Sequence, residues 1–461
     1  MIDIRDIQKV YFIGIGGIGM SALARYFKFH GKEVSGYDKT ETPLTKQLAN
    51  EGIPVHYDDN LELAPKDAQL VVYTPAVPKG HTELMYYQQN NYPLLKRSEV
   101  LGAITRSSFN ICVAGTHGKT TITTMVAHIL RHSEYGCNAF LGGIAVNYNS
   151  NYWSHERDTC VVEADEYDRS FLRLSPDVAV ISAMDPDHLD IYGTTAAMEE
   201  AFIEFAGKIK PGGLLISKFG LPREKELKAP NHFTYHLQNT QADIYACNIQ
   251  MQHGTYVFDV QVKDWRLSNV VLNMGGLHNI ENVIAAIAIA HRLGIDDEKI
   301  KAAVEAFRGV RRRFEYVIKT SEVTFVDDYA HHPEELRALI TGAKGLFGNM
   351  KCTVIFQPHL FTRTRDLATE FAEVLDMADE IVLLPIYPAR ELPIAGVTSQ
   401  MILDKMQHQH KQVLSKERLL EWVKAAHGGA TKGEQGWLLI TAGAGDIDTL
   451  VQPIKQIIES K

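Results

Sequence analysis

Short apolar runs alternate along the chain with stretches in which apolar residues return every third or fourth position, and glycines or acids mark most of the changeovers. The runs at 10–13, 33–36, 70–73, around 92–95, 110–114, 159–162, 178–182 and 214–217 predict strands. Residues 20–30 and the segment after Lys119, with Met125, Val126, Ile129 and Leu130 on one face, predict helices. Residues 255–262 and 267–272 predict a hairpin and 275–290 a long apolar helix, after which strands follow at 323–326, 353–356, 381–384 and 438–440. Alternating strands and helices build parallel sheets covered on both faces. At 461 residues there is room for about three such α/β domains. A polar break at 106–108 and an arginine cluster at 311–313 set the expected boundaries: 1–106 Rossmann-like, 107–312 a central P-loop ATPase-type parallel sheet, and 313–461 Rossmann-like again.

Two changeovers from strand to helix have the form of phosphate loops. Residues 10–13 run into Gly14-Ile15-Gly16-Gly17-Ile18-Gly19, and helix, strand and Asp38 follow in dinucleotide-loop order. Asp38 reads either as a ribose ligand or as a solvated strand-end acid. Residues 110–114 run into Gly115-Thr116-His117-Gly118-Lys119-Thr120-Thr121. Here the glycines let backbone N–H groups close around a polyphosphate, Lys119 adds a charge, and Thr120 offers a hydroxyl to Mg²⁺. Val113 stands where a G-x-x-x-x-G-K-[ST] loop has its first glycine, and an ordinary glycine turn is the bland alternative. A simple dehydrogenase needs only the first loop and a simple ATPase only the second.

Two acid clusters follow apolar strands directly: Glu163 to Asp168, and Asp185-Pro186-Asp187-His188-Leu189-Asp190. At the carboxyl ends of parallel strands they arrive beside the phosphate loop, where carboxylates can hold Mg²⁺. His278, Asn279 and Asn282 open a helix and by position read as caps. Arg311, Arg312 and Arg313 form a cationic joint suited to an anion. In the last third, the apolar runs end in Asp327 to Pro333, Gln357-Pro358-His359, Pro385 to Pro388 and Ala442 to Asp446, which predicts a site at strand ends. Arg363 and Arg365 read either as a carboxylate clamp or as surface charge. Zinc at His331, His332 and His359 lacks any short-range ligand spacing.

Composition narrows the function. A net charge of −9 and 22% charged residues give no footprint for nucleic acid or an anionic membrane. The start, MIDIRDIQKV, is charged where a secretory signal turns apolar, and no apolar run is long enough to span a bilayer. Cys112, Cys137, Cys160, Cys247 and Cys352 are odd in number and widely spaced, which favours reduced thiols over disulfides or a metal site.

Taken in order, GIGGIGM, AGTHGKTT, EADEYD, DPDHLDIYG, GLHNIEN, RRRFE, DDYAHHPEE, QPHLFTRTRDL and ITAGAGDI resemble the Mur ligase family over nearly the whole length. The resemblance implies a cytoplasmic bacterial ligase of peptidoglycan precursor synthesis. In it the lactyl carboxylate of UDP-N-acetylmuramate attacks the γ-phosphate of ATP, and an amino acid, L-alanine in one branch, then displaces phosphate from the acyl phosphate. By motif, Gly115, Thr116, His117, Gly118, Lys119, Thr120 and Thr121 would cradle ATP, and Thr120, Glu163 and His188 would hold Mg²⁺. His278, Asn279 and Asn282 resemble an adenine-reading motif, which displaces their reading as caps. Arg313 and Asp328 would close onto the nucleotide, and His331, His359 and Arg363 would surround the amino acid. Gly14, Ile15, Gly16, Gly17, Ile18 and Gly19 would take the UDP diphosphate, with Asp38 nearby and no NAD bound. Lys119, Glu163, His188, Arg313, Asp328 and His331 are the expected catalytic group.

Three features set this chain against the family pattern, Ala183 bearing on a polar contact near a metal and the other two on the branch. Ala183 stands where relatives often have Asn, and Ala330 where the alanine-adding branch commonly has Gly. No lysine occurs between His188 and Gly207, where later-acting relatives use a carbamylated one, and this favours the alanine-adding branch. The nearest rival is the family's murein tripeptide recycling ligase, which usually has extra residues where 170–186 is compact here. An NAD-dependent oxidoreductase and a regulatory nucleotide-binding module are the readings from other classes. A monomer or homodimer that closes during turnover is expected.

Overall fold

The computed structural model describes residues 4, 6–186, 189–252, 254–389, 391–429 and 436–460. By packing, the chain divides into two compact units: Met1–Cys247 with Asp259–Ser268 and Glu281–Val304, and Asn248–Phe258 with Asn269–Ile280 and Glu305–Lys461.

In the first unit, five parallel strands form a sheet in the order Val55–His56, Glu33–Tyr37, Lys9–Ile13, Leu70–Tyr73, Leu94–Lys96. The order reverses at Lys9–Ile13, so a crevice opens at that strand's carboxyl end, where Gly14 begins. The strand expected around 92–95 starts at Leu94, beyond Pro93, which has no N–H to give to a ladder.

The same unit contains the phosphate-loop strand, Phe109–Ala114, which lies between Thr159–Glu163 and Val178–Ile181, parallel to both. Ile111 to Ala114 are fully buried, as a strand covered on both faces requires. Parallel strands Leu214–Lys218 and Asn231–His236 continue the sheet on one side; Asn138–Ala145 and the antiparallel edge Ser150–Trp153 continue it on the other. Periodicity does not reveal Asn138–Ala145 or Asn231–His236, because a Gly-Gly pair interrupts the first and polar residues dominate the second.

Helix Lys119–His132 packs almost wholly buried and ends on Arg131 and His132, cations that suit a helix C-terminus. Within it His128 receives the Tyr148 hydroxyl at Nδ1 (2.9 Å), and its Nε2 lies 2.8 Å from the Ala303 carbonyl, to which it donates. One accepting and one donating nitrogen fix a neutral ring, and burial pushes its pKa from 6.5 down to about 4. Between those values the unfolded chain binds a proton that the folded chain refuses. Stability is therefore expected to fall by about 3 kcal/mol as pH drops through that window. Thermal melting from pH 7 to 4 should show a smaller acid loss for His128→Asn than for the wild type; equal losses would refute the assignment.

In the second unit, six strands run in the order Glu315–Lys319, Val323–Asp328, Gly436–Ala442, Met350–Phe356, Glu380–Leu383, Lys411–Val413. The first pair is antiparallel and the rest are parallel. All five cysteines are unpaired. Among the described residues, no helix is long and apolar enough to cross a membrane.

Candidate active site

The loop after Phe109–Ala114 owes its shape to two glycines. Gly115 stands at φ 133°, where a Cβ would run into Ser182 Oγ and come within 2.7 Å of the Ala183 nitrogen. Gly118 stands at φ 81° and caps helix Lys119–His132. Asn282 lies over it, with Oδ1 2.9 Å from where a Cβ would be. Val113, in place of the usual first glycine, is still inside the strand and paired in register with Glu163. The next strand braces the loop: the Ser182 hydroxyl donates to the Ala114 and His117 carbonyls, and Thr116 N–H donates to the Ala183 carbonyl at 3.2 Å. Ala183 thus contributes through its backbone, which the loss of an Asn side chain leaves in place. His117 is largely exposed, 3.8 Å from Asp185, and Thr121 is buried in the first helical turn.

Lys119 Nζ donates to the Gly115 carbonyl at 2.7 Å and pairs with Glu166 at 2.6 Å. Glu166 is fully buried, and burial raises its pKa while Lys119 draws it back down. Thr120 Oγ1 donates to Glu163 Oε1 at 3.0 Å, and Gly142 N–H donates to Oε2 at 2.9 Å. Burial raises the Glu163 pKa as well, opposed by Lys119 and Thr120. A hydroxyl and a carboxylate side by side are hard oxygen donors of the kind Mg²⁺ takes. His188 and Asp187 lie outside the described residues.

Around the first glycine loop, the N–H groups of Gly14 and Ile15 both donate to the Tyr37 carbonyl, at 2.8 and 2.9 Å. Asp38 Oδ2 accepts from Gly16 N–H at 2.7 Å, so this acid clamps the loop itself. Gly17 caps helix Ile18–Phe29, and a Cβ on Gly19 would meet the Arg97 guanidinium at 2.7 Å. A cleft of about 710 Å³ opens over Gly14, Gly17 and Gly19. A smaller cavity of about 230 Å³ is lined by Ile18, Gly19, Arg97, Gly142 and Glu163, so it touches both the glycine loop and the candidate metal ligand. Sequence reasoning missed Arg97, which opens helix Arg97–Ser107 and lies 3.9 Å from Asp165. It also missed the role of Glu166, whose signal was its place in EADEYD.

In the second unit, Asn279 donates from Nδ2 to the Gly275 carbonyl at 2.6 Å, and the exposed His278 ring lies against Gly276. Arg312 is engaged by the fold: it donates to the carbonyls of Gly443 and Gly445 and lies 3.6 Å from Asp327. Arg313 is exposed and lies over the Tyr329 ring, with 5.6 Å to its centroid. Arg312 and Phe314 flank it at φ 60° and 49°, a strained pair for residues with side chains. Asp328 accepts from Phe314 N–H at 2.6 Å and Ala330 N–H at 2.7 Å, which tie the turn; burial raises its pKa and these bonds oppose the rise.

His331, His359 and Arg363 come together. The two rings lie edge to face at 6.0 Å, and His359 stacks on Tyr387 at 5.8 Å. Burial holds both imidazoles below their ordinary pKa, and the Arg363 charge adds to this. His359 Nδ1 and Arg363 Nη1 are buried with no hydrogen-bond partner among the described residues. Leu360, at φ 70°, starts the short helix Phe361–Asp366 that aims Arg363. Neutral rings around a guanidinium whose Nη1 has no partner among the described residues suit a carboxylate. Arg365, grouped with Arg363 as a possible clamp, instead faces solvent and pairs with Asp366 at 2.7 Å. His332 caps helix Pro333–Leu346, in a turn that Glu335 ties.

Three family models match the chain in succession: the Mur ligase family catalytic domain over residues 9–109, the Mur ligase middle domain over 113–290, and the Mur ligase glutamate ligase domain over 312–445. The chain is 46% identical over 460 residues to a UDP-N-acetylmuramate–L-alanine ligase of Flavobacterium johnsoniae, covering 99% of each. It is 49% identical over 465 residues to the enzyme of that name from Parabacteroides distasonis, covering 99% of this chain and 98% of the relative. Among solved structures, UDP-N-acetylmuramate-alanine ligase MurC of Thermotoga maritima aligns with TM-score 0.82 at 30% identity, covering 98% of this chain and 99% of the other. A murein peptide ligase of Psychrobacter arcticus shares the fold, with TM-score 0.66 at 22% identity and the same coverage. With three family domains in order and nearly half of all positions shared with full-length relatives, the chain belongs to the Mur ligase family.

Proposed function

We infer that the chain is an ATP-dependent ligase that joins L-alanine to the lactyl carboxylate of UDP-N-acetylmuramate in the bacterial cytoplasm. The observation that carries this reading is the cavity shared by Gly19, Arg97, Gly142 and Glu163. A sugar nucleotide held by the glycine loop would there lie within reach of the phosphate loop. Arg97 would draw the lactyl carboxylate or the diphosphate toward it.

Lys119 would exchange its contacts with Glu166 and the Gly115 carbonyl for the β- and γ-phosphates. Thr120 and Glu163 would hold Mg²⁺, which supplies charge neutralisation at the γ-phosphate. A carboxylate oxygen then bonds to phosphorus as ADP leaves, and the alanine nitrogen bonds to the acyl carbon as phosphate leaves. Arg363 would hold the alanine carboxylate, and the neutral rings of His331 and His359 would accept hydrogen bonds from its amine. Arg313 and Asp328 would attend the nucleotide, with His278, Asn279 and Asn282 on its adenine. Positioning and charge neutralisation make up most of the catalysis, and no protein nucleophile is required.

ADP and phosphate release is expected only when Mg²⁺, UDP-N-acetylmuramate and L-alanine are present together. A phosphate-release assay omitting one component at a time checks this. Full rate without alanine, or better turnover with L-alanyl-γ-D-glutamyl-diaminopimelate in its place, would overturn the reading.

A further inference from the structure

The cluster of His331, His359 and Arg363 is held from one side by a loop that no step of the reaction involves. Strands Met350–Phe356 and Glu380–Leu383 are parallel neighbours, so the segments leaving their carboxyl ends run side by side. Tyr387 N–H donates to the Pro358 carbonyl at 2.8 Å, and Leu360 N–H donates to the Tyr387 carbonyl at 2.9 Å. Between these two bonds His359 and Tyr387 form a parallel bridge and stack their rings. Leu360 then stands at φ 70° and ψ 136°, a conformation that a residue with a side chain keeps only where its surroundings impose it.

Glu391 supplies the rest of that constraint. Its Oε2 accepts from Thr362 N–H at 3.0 Å, and its Oε1 accepts from the Thr362 hydroxyl. Helix Phe361–Asp366 needs such an acceptor, because Leu360 at its cap position has no side-chain oxygen to offer. The Thr362 hydroxyl and N–H hold the Glu391 carboxyl below its ordinary pKa, so it is ionised near neutral pH. Both of its oxygens are thus engaged one residue before Arg363, whose Nη1 is buried without a hydrogen-bond partner among the described residues. A loop carboxylate paired with that nitrogen would compete with a substrate carboxylate. Fastened to Thr362, Glu391 directs the arginine and leaves Nη1 open.

We propose that Glu391 is a positioning residue of the amino-acid subsite: by fixing the first turn of helix Phe361–Asp366 through Thr362, it aims the Arg363 guanidinium at the carboxylate of the incoming amino acid. The proposal rests on Arg363 taking that carboxylate, and it adds the group that sets the direction of the guanidinium.

Steady-state kinetics on the full chain test it. Glu391→Ala is expected to raise KM for L-alanine about tenfold, with kcat and KM for ATP within about twofold of wild type. Glu391→Gln can keep both contacts, its oxygen taking the N–H and its amide donating to a rotated hydroxyl, and should stay within about threefold of wild type. Thr362→Val removes the hydroxyl from the other partner and should raise the same KM about threefold; it carries the test if Glu391→Ala does not fold. In the Arg363→Ala background, Glu391→Ala should add less than about twofold, because two changes that act through one group do not multiply. A further rise of about tenfold there would overturn the proposal, as would an unchanged KM for L-alanine in Glu391→Ala. If Arg363→Ala itself keeps the wild-type KM for L-alanine, the subsite reading fails and the proposal falls with it.

Discussion

Replacing Lys119 by alanine is expected to lower turnover by on the order of 10³-fold while leaving UDP-sugar affinity within about twofold of wild type. The lysine leads helix Lys119–His132, and its ammonium is 2.6 Å from Glu166, poised beside the loop that would take the triphosphate. The glycine loop stands on a different sheet, so the sugar nucleotide keeps its contacts. Alanine at 119 also removes the ammonium beside a fully buried carboxylate, and Glu166 then shifts further toward its neutral form. Lys119→Met combined with Glu166→Gln removes both charges and should melt closer to wild type while remaining inactive. Phosphate release and calorimetry with UDP-N-acetylmuramate measure the two halves. Loss of sugar-nucleotide binding in a folded variant would sink the division of labour between the loops.

Arg363→Ala is expected to raise KM for L-alanine by on the order of 10²-fold with KM for ATP unchanged. Its Nη1 is buried without a hydrogen-bond partner among the described residues, and the neighbouring rings are held neutral, which suits a carboxylate ligand. Lysine at 363 should recover only part of the loss, because an ammonium cannot match a carboxylate through two parallel bonds. Steady-state kinetics over a wide alanine range decides it. A drop in kcat with KM for alanine unchanged would place Arg363 elsewhere in the reaction.

Much of the candidate site was legible because it is local. Strand, glycine turn and helix at residues 109–132 are consecutive in the chain, and the steric demand for glycine at 115 and 118 falls on near neighbours. The same holds for 9–29, where the turn follows its strand without a break. What stayed hidden depends on which way a side chain leaves its turn. In EADEYD the sequence offers three acids, and only the turn after Thr159–Glu163 assigns Glu163 to Thr120 and Glu166 to Lys119. In the arginine cluster, strained backbone at Arg312 and Phe314 sends Arg312 into the fold and leaves Arg313 outside. At Arg363 and Arg365, two positions on one short helix decide between a guanidinium with a buried Nη1 unpartnered among the described residues and a solvent ion pair.

By itself the sequence determined the α/β character, both glycine loops between strand and helix and the strand-end position of Glu163, His331 and His359, since periodicity and glycine placement act over a few residues. Tertiary structure alone decided that Arg97 and Glu163 share one cavity, that Asp38 clamps the Gly16 amide, and that His359 and Arg363 each keep a buried nitrogen without a hydrogen-bond partner among the described residues. Each of these depends on strands distant in the chain becoming neighbours in a sheet. Burial, which sets both the charge state and the unmet hydrogen bonds of these groups, exists only once those strands have packed.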